Sequence, residues 1–123
     1  MSRLPTKPDK ILDAAADLIE RTGWTRGTVA RNLNKERVAV NSPDAACFCL
    51  MGSVMRVARP KSNITMLFAP EQRSYDFLRK AIGDDFGIPT WNDEICRSKR
   101  QAVAKLRAAA RLAREEAHVK QTR

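Results

Sequence analysis

Six residues of this chain carry side chains of the kind that build small polar sites: Trp24, Arg31, Trp91, Asn92, Asp93 and Arg97. Two indoles can wall a pocket, a carboxylate can act as base or ligand group, and guanidinium forks can hold an anion. Packing and capping explain the same residue types. On that reading Trp91 is a large anchor on the core, and Asn92 or Asp93 caps a short turn leading into Ser98. Arg97 lies four residues beyond Asp93, the spacing of a helical ion pair. The segment from Thr90 to Asp93 is therefore expected to be a joint that aims the helix behind it. A pocket formed by the six residues stands as the alternative.

The thiols offer less. Cys47, Cys49, Cys96 and the single histidine, His118, supply atoms of the right type for zinc. Residues two apart on a helix, however, point about 200° away from each other. A nucleophilic cysteine needs a base beside it, and one remote histidine does not provide one. The chain has no Gly-rich phosphate loop, paired-carboxylate motif or histidine cluster. The expectation is no catalytic residue, no metal and no cofactor, with the cysteines reduced and packed.

Charge says more. Of 123 residues, 23 are Lys or Arg and 14 are Asp or Glu, a formal net charge of +9. Residues 97–123 hold nine of the basic residues and only two acids, so most of the surplus belongs to the C-terminal segment. At 100° per residue, Arg100, Arg107, Arg111 and Arg114 fall within about 60° of one another on a helix. Lys99 and Lys105 on the same helix are expected to join the arginines in binding a partner, and Val103, Leu106, Ala110 and Ala113 form an apolar stripe adjoining the ridge. Arginine forks suit phosphates and carboxylates, which points to an acidic partner, either nucleic acid or an acidic protein surface. The competing reading is a solvated, alanine-rich surface helix with cations near the negative end of its dipole. No aromatic residues interleave with the ridge, which disfavours stacking on single-stranded bases.

These residues need elements to position them. Residues 6–23 read as a helix with a capping-box-like Thr6 and Asp9, apolar Ile11, Leu12, Ala15, Leu18 and Ile19, and Gly23 as a left-handed stop. A small hairpin is expected from the β-leaning runs 28–31 and 37–40. Ser42-Pro43-Asp44 looks like a helix start, opening an all-round apolar central helix over 42–59 in which Gly52 lets another element approach. Residues 62–68 are either a short strand or a loop with an apolar plug. A third helix runs from Pro70 to Gly83, and 84–93 form a loop too long for a helix-turn-helix. Ser98 with Gln101 makes a capping box for a last helix running to about His118. The fold class is thus mainly α: one domain over 1–118 of about four helices around the apolar helix, with a basic tail at 119–123.

Three segments, GWTRGTVAR at 23–31, CLMGSV at 49–54 and WNDEICRSKRQAVAKL at 91–106, together resemble a family of small uncharacterised bacterial and bacteriophage proteins. The shared marks are Gly-Trp-Thr-x-Gly, Cys-x-x-Gly and Trp-Asn-Asp, and the resemblance spans roughly residues 11–110. It implies a compact, mainly helical domain, often phage- or prophage-encoded, and no particular activity. This chain departs from the pattern at Asn34-Lys35-Glu36, where a Gly-containing turn is usual, and in its more basic C-terminal tail.

No apolar run is long enough to cross a bilayer, and no apolar stretch follows the basic N-terminal residues, so a cytoplasmic location without membrane contact is expected. The functional expectation is a non-enzymatic accessory protein, phage- or mobile-element-related. It would bind nucleic acid or a nucleic-acid-handling complex through its C-terminal arginines, with inhibition of host defence as one form of this. The alternatives are a small enzyme or ligand-binding domain at the Trp-Asn-Asp segment, and a structural homo-oligomer.

Overall fold

A computed structural model describes residues 5–58, 70–83 and 85–121 of the chain. Among these, the elements in chain order are α1 (Pro8–Arg21), β1 (Ala30–Arg31), β2 (Cys47–Phe48), α2 (Leu50–Ala58), α3 (Pro70–Ile82), α4 (Ile88–Thr90), a π-helical turn (Trp91–Ile95) and α5 (Lys99–Gln121). The fold is mainly α with one small antiparallel two-stranded sheet, as expected. One hydrophobic cluster joins all the helices.

α1 buries Ile11, Leu12, Ala15, Ala16, Leu18 and Ile19, the face its periodicity marks out. It packs along α5 and also touches α2 and α3. α5 contributes Ala102, Leu106, Ala109, Ala110 and Ala113 to the buried core. Four alanines among these five let the two helix backbones approach closely. The ends of α1 differ from expectation. Its N-cap is Lys7, with no side-chain capping bond, and Asp9 turns instead toward Arg114. At the other end the backbone N–H and the hydroxyl of Thr22 both donate to Leu18 O, at 2.9 and 2.6 Å. Gly23 is not among the left-handed residues, so it is not the stop.

The helix expected over 42–59 begins only at Leu50, and its far end lies outside the described residues, as does the segment 62–68. The capping signal at Ser42 forms a turn instead, in which Ser42 Oγ accepts Asp44 N–H at 3.1 Å. The chain then runs extended through β2, where Ala46 N–H donates to Arg31 O. Arg56 closes the turn from α2, donating to the carbonyls of Val40 and Ser42 at 2.8 and 2.9 Å. Long-range pairing thus outweighs a good local helix start. The all-round apolar character of 45–57 has a simple cause, because it belongs partly to a strand and partly to a helix.

The hairpin also takes a different partner. β1 pairs with β2, Ala30 opposite Phe48 and Arg31 opposite Cys47. The expected 37–40 side contributes a single bridge, Arg37 to Arg31. Lys35 adopts a left-handed φ of 71° at the tip, the conformation a glycine would take more easily.

Gly52 does what its position in an apolar helix suggests. A Cβ there would lie 2.1 Å from the carbonyl oxygen of Val29, so the loop before β1 rests directly on α2. α3 ends at Gly83, whose φ is 103°. The residues expected to be loop from 85 to 93 instead carry α4 and the beginning of the π-helical turn. α5 opens at the predicted Ser98 cap, whose Oγ accepts Gln101 N–H at 3.1 Å, but Gln101 Oε1 accepts Arg97 N–H at 2.7 Å rather than that of Ser98. It continues to Gln121, past the expected end at His118.

Candidate functional site

The π-helical turn closes with Cys96 N–H donating to Trp91 O at 2.8 Å. One extra residue in such a turn widens it, and turns of this kind recur at functional sites. Here both Trp91 and Asn92 are buried, the latter only 1% exposed. Asn92 does not cap its own turn. Its Oδ1 accepts Trp24 Nε1–H at 2.8 Å and Leu50 N–H at 3.1 Å. Its Nδ2 donates to Thr25 O at 3.1 Å and to Asp93 Oδ1 at 2.8 Å. An amide side chain offers two acceptor sites and two donor hydrogens, so all four are used. The bond to Leu50 satisfies the first free donor of α2 from another element, replacing the local cap that sequence suggested.

Asp93 continues the knot. Its Oδ1 also accepts Gly27 N–H, at 2.9 Å. Segments 24–27, 49–52 and 91–93, singled out separately in the sequence, therefore meet at one point. Beside them opens a cleft of about 190 Å³ whose walls include Val29, Cys49, Met51, Ile88 and Pro89, with Asp93 at its edge.

The six residues proposed as a pocket come together only in part. Asn92 and Asp93 line this cleft, while neither indole does. Trp24 is held by Asn92 and covered by the Arg26 guanidinium at 5.0 Å, and Trp91 lies under Lys105 Nζ at 5.2 Å. Arg31 braces the loop, donating to Thr25 Oγ1, Arg26 O and Lys35 O. Arg97 is exposed, and among the described residues it makes no ion pair with Asp93. Arg26 was not singled out in the sequence, yet it links the loop to the turn by donating to Cys96 O. Nothing local marks that role.

Burial pushes the Cys49 thiol up from its ordinary value, and the nearby Asp93 charge adds to this against the backbone donors of Gly52 and Met51. Burial likewise raises Cys96. Both stay neutral near pH 7 and are poor nucleophiles. Among the described residues, no three His, Cys, Asp or Glu side chains come together to hold a metal.

The arginine ridge is divided. α1 runs antiparallel to α5 and presents Asp9, Asp13 and Asp17 at four-residue intervals. Arg107 meets Asp13 Oδ1 at 3.1 Å and Asp17 Oδ1 at 2.5 Å. Those hydrogen bonds, Asp17 first, raise its already high pKa further against a small cost of burial. Arg114 meets Asp13 Oδ2 at 2.6 Å and Asp9 Oδ2 at 3.5 Å. Lys99 Nζ donates to Glu20 O, and Lys105 Nζ to Ala81 O, each at 3.2 Å. Arg100 and Arg111 face solvent with no side-chain partner among the described residues. The aspartate spacing on α1 was visible in the sequence and is the signal that separates the two inward arginines from the two outward ones.

A family model described as a family of unknown function (DUF6197) matches residues 3–112. The chain belongs to that family, in agreement with the resemblance of its three segments to uncharacterised proteins. No curated protein and no solved structure matches the chain.

Proposed function

We propose that this member of a family of unknown function is a non-catalytic binding protein that holds an acidic partner, nucleic acid first, against the start of α5. The observation behind this is the distribution of cations left over after internal pairing. Arg73, Arg79, Arg107 and Arg114 have carboxylate partners within the fold. Arg21, Arg26, Arg97, Lys99 and Arg100 are among the cations with no carboxylate partner within the described residues, and two contacts join the segments that carry them. Lys99 reaches the carbonyl of Glu20, next to Arg21, and Arg26 reaches that of Cys96, next to Arg97. The acids of this stretch are Glu20, Asp93 and Glu94, against five cations, which leaves it positive. Arg111 extends it along the same helix.

Forked donors on a rigid helix start suit phosphate oxygens. The indoles are engaged with Asn92, Arg26 and Lys105, so base stacking is disfavoured and contact runs through the backbone of the nucleic acid. The resemblance to phage-encoded proteins supports a mobile-element accessory protein acting on a host nucleic-acid complex, inhibition of host defence included. Among the described residues no helix is long and apolar enough to cross a membrane. Binding to mixed-sequence DNA and RNA over a salt series tests the reading. With four phosphate contacts, affinity falls about a hundredfold between 50 and 200 mM salt. No binding at about 50 mM salt removes the nucleic-acid form and leaves an acidic protein surface as the partner.

A further inference from the structure

We propose that the cleft beside Asp93 is a binding site for an alkyl cation, a guanidinium or primary ammonium group carried on a short aliphatic chain. Three features of the geometry converge on that chemistry.

The first is a carboxylate fixed in place. Asp93 Oδ1 is held by Gly27 N–H at 2.9 Å and by Asn92 Nδ2 at 2.8 Å. Asn92 is itself buried with every hydrogen-bonding position used, so it cannot turn away. Asp93 Oδ2 makes no hydrogen bond or ion pair among the described residues. A charge-assisted hydrogen bond from a cationic donor is the strongest contact such an oxygen can make.

The second is the failure of the chain's own cations to pair with it. In a protein of net charge +9 an accessible carboxylate has many potential partners. The two arginines of the adjoining loop are committed elsewhere, Arg26 to Cys96 O and the Trp24 ring, Arg31 to Thr25, Arg26 and Lys35. Neither donates to Asp93. The carboxylate is thus presented to the cleft while its neighbours are tied back.

The third is size and lining. Val29, Met51, Ile88 and Pro89 give apolar walls, and the neutral Cys49 thiol behaves as one more. The volume of about 190 Å³ is below the roughly 300–1,000 Å³ of sites for drug-sized ligands. It suits one polar head and a chain of side-chain length. That length is common to free small amines and to an arginine or lysine side chain of a partner protein.

No residue lining the cleft is a cation of the basic face at the start of α5, so either can fail alone. The test is titration of the full, folded chain with butylguanidinium, followed by nuclear magnetic resonance at the Gly27 amide and the Trp24 indole N–H. Saturable shifts at millimolar concentration are expected. Asp93→Asn, which keeps an acceptor for Gly27, should weaken binding at least about tenfold while the Trp24 indole resonance stays in place. Met51→Trp, which fills the cleft while leaving the Asp93 carboxylate unaltered in sequence, should abolish the shifts. Butylurea, the neutral analogue, should bind at least about tenfold more weakly than the cation. A blocked Gly-Arg-Gly peptide binding more tightly than butylguanidinium identifies a partner's side chain as the natural occupant, and weaker binding identifies a free small cation. Absence of saturable shifts, equal binding of butylurea, or unchanged binding by Asp93→Asn overturns the proposal.

Discussion

Trp24 Nε1 donates to Asn92 Oδ1 at 2.8 Å, joining two residues 68 positions apart in the chain. Removing the amide affects more than this bond. Asn92→Ala leaves the buried Leu50 N–H and the partly buried indole N–H and Thr25 O without their partner. Unmet buried polar groups cost about 1–3 kcal/mol each before relaxation, so a loss of about 3 kcal/mol is expected by urea unfolding. Trp24→Phe removes one donor and keeps most of the ring, so its cost should be smaller. Equal costs for the two variants would show that Asn92 is not the hub.

Gly52→Ala should be among the most damaging single-methyl additions available. The new Cβ would meet backbone, the Val29 carbonyl oxygen at 2.1 Å and its carbon at 2.9 Å, and backbone cannot swing aside as a side chain can. A loss of about 3 kcal/mol or more is expected, above the usual range for overpacking. Gly83→Ala, with nothing within 4 Å of its Cβ and only an unfavourable φ, should cost about 1–2 kcal/mol. Circular dichroism melting of both variants gives the comparison.

The two classes of arginine on α5 should separate in stability measurements. Asp13 serves both Arg107 and Arg114, so Asp13→Asn weakens two ion pairs at once. These groups are about a third exposed or more, which holds the effect to about 1 kcal/mol and makes it fade at high salt. Arg100→Ala and Arg111→Ala should change stability by no more than about 0.5 kcal/mol. Denaturant unfolding at low and high salt distinguishes them.

Alkaline pH should destabilise the protein through Tyr75, Cys49 and Cys96. Burial first, and then the hydrogen bond to Glu71, push Tyr75 well above its ordinary value of 10.0, and burial raises Cys49 and Cys96 above 9.0. In the unfolded chain these groups lose their protons near those ordinary values, while the native state keeps them. The native state then binds more protons, so stability present below about pH 9 declines as pH rises above it. Tyr75 is the only tyrosine, so tyrosinate absorbance reports it alone. The absorbance should rise together with the loss of helix. Tyrosinate forming near pH 10 with helix content intact would refute this.

Local patterns carried the parts of the fold that depend on neighbours in sequence. The apolar face of α1, the close approach at Gly52, the Ser98 cap of α5 and the mainly helical class were all readable. Ser42-Pro43-Asp44 misled because Arg31 and Arg56, distant in sequence, offered that segment better partners than a helix would. Asn92 misled in the opposite direction. Its type suits a local cap, and it caps a helix, but the helix is α2. The helix that carries the four arginines was readable, yet which of them face solvent depended on the aspartates of α1. In each case the missing information was a pairing between residues far apart in the chain.

The most direct test of the proposed function is titration of a mixed-sequence DNA duplex with the wild-type chain and with an R97E/R100E double variant, over about 50 to 200 mM salt. Steep weakening with salt is expected for the wild type. The double variant should bind at least about tenfold more weakly and with a shallower slope, at unchanged melting temperature. Affinity that is flat with salt, or that survives the double charge reversal, would contradict a phosphate-binding face at the start of α5.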